Sequence, residues 1–69
     1  MKVNLLKAKM LEKEVTPEDI SKMLGFKNVQ TFYNRLNGKV DITLTEIKEI
    51  KKYLCLTQEE TNFIFFNDN

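Results

Sequence analysis

The sequence predicts an all-α fold, a compact domain of five short helices that includes a helix-turn-helix over about residues 16–38. A Ser or Thr followed three residues later by an acid, the capping box that opens a helix, occurs at Thr16, Thr43 and Thr57. Apolar residues recur at helical spacing, whereas no useful run alternates between apolar and polar residues as a strand would. Each of the two glycines follows a helical stretch, where a residue that accepts positive φ ends the helix.

The start and stop signals set the bounds of the predicted helices. The five helices cover about residues 3–13, 17–24, 28–37, 44–54 and 58–66. The second starts with a proline, whose missing amide costs nothing at that position, and the third starts at Asn28, a good N-cap. The predicted core positions of the first four helices are Leu6, Met10, Ile20, Met23, Leu24, Val29, Phe32, Tyr33, Leu36, Leu44, Ile47, Ile50 and Leu54. A chain of 69 residues has room for one domain, 1–69.

The composition argues against metal, cofactor and catalytic chemistry. One cysteine, Cys55, and no histidine leave no intrachain disulfide and too few ligands for a zinc site. Because Cys55 lies between Leu54 and Leu56, we expect its thiol to be buried and structural. No base is available to activate a nucleophile, and two isolated glycines cannot form a phosphate loop. We therefore expect no enzyme, no metal, no cofactor and no small-molecule substrate.

The hydropathy of the chain predicts a soluble protein. No apolar run approaches the ~20 residues that cross a bilayer, and no signal-peptide pattern opens the sequence. A lone cysteine also suits a reducing compartment. We expect a cytoplasmic protein that does not contact a membrane.

The charges are unevenly distributed along the chain, although the net charge is only +1. Residues 1–39 carry eight basic and four acidic side chains, whereas residues 40–69 carry three and six. No acid lies between Ile20 and Val40. Such asymmetry is typical of a one-sided phosphate-binding face. Chance clustering on an ordinary solvated surface is the alternative, and charge alone fits both interpretations.

The second and third predicted helices meet at a tight turn. Ser21 and Gly25 supply the small residue and the turn glycine that a close helix pair requires, so this segment predicts a helix-turn-helix. On a helical wheel, the core side of the third helix holds Val29, Phe32, Tyr33 and Leu36. Its other side holds Lys27, Gln30, Thr31 and Asn34, with Arg35 at the flank. The outward side is therefore rich in amides and contains no acid.

Amide side chains on an exposed helix are suited to reading base edges in DNA. Gln and Asn bind adenine bidentately, and Lys or Arg binds guanine or phosphate. Gln30 and Asn34, one turn apart, are the first candidates. The predicted base contacts are Lys27, Asn28, Gln30, Thr31 and Asn34, and the predicted phosphate contacts are Thr16, Lys22, Arg35 and Lys39. Two blander interpretations are that the stripe is only solvated surface and that Gln30 only caps the helix.

Four consecutive apolar residues, Phe63 to Phe66, close the last helix, and one helix face cannot bury them all. We expect Phe63 and Phe66 to face inward and Ile64 or Phe65 to face outward. The segment either completes a small core or forms an interface. The predicted dimer contacts are Phe63, Phe65 and Phe66.

Taken in order, these motifs resemble the lambda-repressor-like (Cro/repressor) helix-turn-helix family, in particular short prophage-encoded regulators of the Gram-positive type. The resemblance rests on Thr16, Asp19 to Lys22, Leu24-Gly25, Gln30 to Lys39 and Leu44 to Ile47. It implies a DNA-binding transcriptional regulator, with the third helix in the major groove of double-stranded DNA and a homodimer on a palindromic operator.

Two features depart from the family pattern. The span from Gly25 to Gly38 is one residue longer than the commonest spacing, which leaves open whether Lys27, Asn28 or Gln30 takes the first base-contacting position. Arg35 occupies the usual second buried position of the third helix, so we expect Leu36 to be buried in its place.

A protein-interaction module with the same fold is the alternative function. An antirepressor or antitoxin-like protein would dock through the Phe-rich C-terminus and the acidic half of the chain. Absence of duplex binding at low salt, together with tight binding of a protein partner, would distinguish it from a DNA-binding regulator.

Overall fold

The computed structural model describes residues 1–67, which contain five α-helices and no strand. The helices are α1 Val3–Glu12, α2 Pro17–Met23, α3 Val29–Leu36, α4 Leu44–Tyr53 and α5 Gln58–Thr61, and a π-helical turn, Asn62–Phe66, continues α5. The all-α prediction is confirmed. The Cα radius of gyration is 11.0 Å, close to the roughly 11 Å of a compact chain of this length. None of the helices in this range is long and apolar enough to cross a membrane.

All three predicted capping boxes form. In each box a threonine hydroxyl accepts the amide three residues on, and the acid at that position accepts the threonine amide. The pairs are Thr16–Asp19, Thr43–Glu46 and Thr57–Glu60, with the six hydrogen bonds between 2.8 and 3.2 Å. Because these bonds satisfy amides that a helix start leaves free, they determine where α2, α4 and α5 begin.

The first four helices end in the same chain reversal. The amide beyond a left-handed residue donates to the carbonyl five residues earlier, as in a Schellman motif. These bonds are Val15 to Met10, Phe26 to Ser21, Lys39 to Asn34 and Leu56 to Lys51, at 2.8 to 2.9 Å. Gly25 and Gly38 hold two of the left-handed positions, and Glu14 and Cys55 hold the other two.

The expectation of a buried Cys55 thiol is wrong, because this side chain is exposed. Cys55 has φ 54° at the end of α4, and the reversal turns its side chain outward between the buried residues Leu54 and Leu56. The burial of Leu54 and Leu56 therefore does not extend to Cys55, because Cys55 lies in the turn that ends α4.

Cys55→Gly is expected to raise the free energy of unfolding by roughly 0.5–1 kcal/mol. A left-handed conformation costs an L-residue about 1–2 kcal/mol, and the entropy of an unfolded glycine offsets part of that gain. Gly25→Ala is the matched reverse change: φ there is +79° and a Cβ would meet nothing within 4 Å, so it should destabilise through the backbone alone. Urea unfolding of both variants tests this, and a destabilised Cys55→Gly protein would contradict it.

The core is a single cluster to which the first four helices and the C-terminal turn contribute. The buried apolar residues are Leu6, Met10, Ile20, Phe32, Leu36, Ile47, Ile50, Leu54, Leu56, Ile64 and Phe65. Met23, Leu24 and Tyr33 pack partly against this cluster, and Val29 is half-buried. Leu44 was expected in the core but is 64% exposed, because it opens α4 beside a groove that no helix within residues 1–67 fills.

The C-terminal turn buries the opposite pair of residues from the predicted one. Ile64 and Phe65 are buried, whereas Phe63 and Phe66 are 51% and 52% exposed. The reason is Thr61, which is itself buried and donates its hydroxyl to the Thr57 carbonyl at 2.8 Å. Ile64 and Phe65 lie three and four residues beyond Thr61 and share its face. The side of this segment that faces the core is therefore the side that holds Thr61.

An ion pair between Lys9 and Glu60 joins α1 to α5. The Lys9 hydrogen bond and the Thr57 amide lower the pKa of the Glu60 carboxyl from 4.5 to about 2. A carboxyl with a lowered folded-state pKa stabilises the fold above its unfolded pKa, and this contribution is lost as the pH falls through the folded value.

The free energy of unfolding is therefore expected to decrease as the pH falls from about 4.5 towards about 2. In Glu60→Gln the decrease should be smaller, since glutamine still caps α5 but does not titrate. Urea unfolding at several pH values measures this. Identical pH profiles for the two proteins would contradict the assigned role of Glu60.

Candidate nucleic-acid interface

Helices α2 and α3 pack directly against each other across the turn at residues 24–28. Ser21 is buried, as a small residue at a close helix approach should be. Gly25 has φ +79° and reverses the chain after α2. The lengthened turn then places Asn28 outside α3 as its N-cap, so α3 begins one residue later, at Val29.

The outward side of α3 is the side that the helical wheel predicted. Phe32 is fully enclosed and Leu36 is buried, which anchors the helix to the core. Gln30, on the other side, is exposed, and Asn34 is half-buried. Leu36 was expected to be buried in place of Arg35, and it is the more buried of the two residues.

Gln30 and Asn34 are joined by a hydrogen bond. Gln30 Nε2 donates to Asn34 Oδ1 at 3.0 Å. Gln30 keeps its carbonyl oxygen and one amide hydrogen, and Asn34 keeps both amide hydrogens and one lone pair on its oxygen. The pair therefore presents acceptors and donors in one row along the exposed surface.

The start of α3 places two further predicted contacts. Asn28 Oδ1 accepts the Thr31 amide at 3.2 Å and lies 3.5 Å from the Thr31 hydroxyl. Asn28, and not Gln30, therefore caps the helix. Its side-chain carbonyl is occupied by that role, which leaves its amide hydrogens as the available donors.

The remaining predicted contacts surround this row. Lys22 of α2, Lys27 of the turn and Lys39 after α3 are all exposed. The backbone amide of Lys39 donates to the Asn34 carbonyl at 2.9 Å, so the start of that loop is fixed to the end of α3. Thr16 is exposed at the start of α2, and its hydroxyl oxygen accepts the Asp19 amide at 3.2 Å.

Arg35, predicted as a phosphate contact, is held inside the molecule. Its Nε and Nη2 donate to the two carboxylate oxygens of Glu46 at 3.0 and 3.1 Å. Burial raises the pKa of the Glu46 carboxyl, but the hydrogen bonds from Arg35 and from the Thr43 amide outweigh it, so the pKa lies below its usual value. Sequence reasoning missed Glu46. An arginine next to the core side of the predicted third helix was the signal that a counter-charge was needed.

A groove of about 500 Å³ runs beside the C-terminal end of α3. It is lined by Arg35, Leu36, Ile42, Leu44, Phe65 and Phe66, among others. Phe63 instead lines a smaller groove of about 150 Å³ against α1, where Lys2 Nζ lies 5.3 Å from its ring centroid. Phe65, predicted as a dimer contact, is buried, so Phe63 and Phe66 are the aromatic rings that remain accessible in this turn.

The chain matches no protein-family model, no curated protein and no solved structure. The likeness to lambda-repressor-like proteins therefore rests on the motifs of the sequence itself. A functional assignment therefore depends on the geometry of α2, α3 and the turn between them.

Proposed function

We propose that this cytoplasmic protein is a sequence-specific, DNA-binding transcriptional regulator of the helix-turn-helix type, resembling prophage repressors. Helices α2 and α3 and their turn are the proposed helix-turn-helix, and α3 enters the major groove of double-stranded DNA. The observation that supports this most is the amide pair. Gln30 and Asn34 lie outward on a helix whose opposite side is anchored by Phe32.

The hydrogen-bonding groups left on the pair indicate which bases they contact. Gln30 retains one acceptor and one donor, which match the N6 and N7 groups of adenine. Asn34 retains both of its amide hydrogens, whereas Gln30 takes one of the two lone pairs on its oxygen. It is therefore suited to an acceptor edge such as guanine N7 and O6.

Phosphate contacts come from exposed groups around α3. Lys22, Lys27 and Lys39 provide cations on a stretch of chain that contains no acid. The Thr16 hydroxyl keeps its hydrogen as a donor, since its oxygen accepts the Asp19 amide. These contacts position the helix without carrying sequence information.

Selection from a pool of random duplexes tests the proposal. The protein should retain a defined sequence and release random duplex, and about 4–6 phosphate contacts per protomer should make binding fall steeply with salt. Equal retention of every sequence would contradict base reading. A chain that retains no duplex at low salt but binds a protein tightly would fit the antirepressor or antitoxin-like alternative, which the exposed rings of Phe63 and Phe66 favour.

We assign the homodimer contact to Phe66 and the groove beside it. An exposed ring and a groove with both apolar and polar lining lie on one face, so two copies of this face can pair about a twofold axis. Phe66→Ser is expected to convert two protomers per selected duplex into one, whereas Phe63→Ser, equally exposed but on the smaller groove, should not. Sedimentation with and without duplex measures this. One wild-type protomer per duplex, with only monomer at high concentration, would contradict a dimer.

A further inference from the structure

Arg35 is the only arginine among 11 basic residues, and it contacts three separate parts of the fold. Its guanidinium pairs bidentately with Glu46 of α4. Its carbon Cζ lies 4.6 Å from the ring centroid of Phe26, in the turn between α2 and α3. Nη1 donates to the Thr31 carbonyl on α3 itself at 3.1 Å.

These contacts require arginine rather than lysine. A planar guanidinium offers several donors in a rigid fork and stacks on an aromatic ring, whereas an ammonium does neither. The side chains of Arg35 and Glu46 are only 15% and 14% exposed, so solvent competes little for the pair. The contact is therefore more directional than a surface ion pair, which holds its partners loosely.

The carboxylate of Glu46 serves two elements at once. Its Oε1 accepts from Arg35 Nε and also from the Thr43 amide, both at 3.0 Å. The start of α4 and the Arg35 side chain of α3 thus share one carboxylate oxygen, Oε1 of Glu46.

We infer that Arg35 is a positioning residue: through Glu46 and Phe26 it fixes the angle at which α3 presents Gln30 and Asn34. The inference rests on the proposed function, in which these amides read bases. It assigns Arg35 to base discrimination and removes it from the phosphate contacts. Arg35 contributes to specificity without touching DNA.

Two variants separate positioning from phosphate binding. Glu46→Gln keeps an acceptor for the Thr43 amide but removes the charge opposite Arg35, and Arg35→Lys keeps the cation but removes the fork. Glu60→Gln is the matched control, because it makes the same change in the capping box of α5, where the ion-pair partner is Lys9. Circular dichroism confirms that each variant is folded at the temperature used.

The readout is the ratio of affinities for the selected duplex and for a random duplex of equal length. We expect this ratio to fall about tenfold or more in Glu46→Gln and Arg35→Lys, because a well-placed bidentate contact discriminates by about 5- to 150-fold. Glu60→Gln should keep the wild-type ratio. If Arg35 instead bound phosphate, Glu46→Gln would free it and tighten binding to both duplexes, and Arg35→Lys would leave the ratio unchanged. Either result overturns the inference.

Residual dipolar couplings of the α3 and α4 amides in the free protein provide a second test without DNA. The angle between the helices should change in Glu46→Gln and Arg35→Lys and stay constant in Glu60→Gln. Unchanged angles in all three variants overturn the positioning role. If the wild-type protein selects no sequence, the proposed function fails, and the angle alone decides whether Arg35 positions α3.

Discussion

Phe32→Ala is expected to leave most of the protein unfolded at room temperature. Phe32 is fully enclosed in the core, and truncating such a phenylalanine costs about 3–5 kcal/mol through lost burial and the cavity that remains. A domain of this size has roughly that much stability in total, since its single cysteine allows no intrachain disulfide to reinforce the fold. Far-ultraviolet circular dichroism and urea unfolding measure the loss.

Phe63→Ala is the control for this change. The same side chain is removed, but from a position that is 51% exposed, so the free energy of unfolding should change by less than about 1 kcal/mol. A cooperative Phe32→Ala protein with nearly wild-type stability would show that α3 is not anchored through this ring. The outward orientation of the amide pair would then lose its support.

Gln30→Ala and Asn34→Ala should each weaken binding to the selected duplex by about 5- to 150-fold, or about 1–3 kcal/mol. Each variant should also relax the preference at one base position, because the lost amide no longer distinguishes base edges. The hydrogen bond between the two amides makes the effects non-additive. The double variant should therefore lose less than the sum of the single losses.

Lys39→Ala provides the comparison for these two variants. Its exposed ammonium is assigned to phosphate, so its loss should weaken binding to selected and random duplexes alike and reduce the salt slope by about one. Titration of each variant against both duplexes measures the loss of affinity for the amide variants and for Lys39→Ala. Equal losses on both duplexes for the amide variants would show that Gln30 and Asn34 do not read bases.

Local signals along the chain predicted much of the secondary structure. The three capping boxes and the turn glycines placed most helix ends within about one residue of their observed positions. These signals depend on hydrogen bonds between residues three to five apart, so they can be recognised without knowing the tertiary fold. The helical wheel of α3 also correctly predicted that Phe32 faces the core and that Gln30 faces outward.

The errors occurred where the environment of a residue depends on distant parts of the chain. Which of Phe63 and Phe65 is buried depends on which side of the C-terminal turn meets the other helices, and Phe65 lies on that side with the buried Thr61. Leu44 is exposed because no neighbouring element covers it. Apolar character alone predicted neither outcome.

The sequence by itself determined where the helices begin and end, the polar amide stripe of α3 and its lack of acids. These properties follow from local hydrogen bonding and helical periodicity. Only the tertiary structure decided that Arg35 pairs with Glu46, eleven residues away, and that Phe66 borders an open groove. Pairing and burial depend on which surfaces meet when helices pack, and spacing within one helix does not specify that.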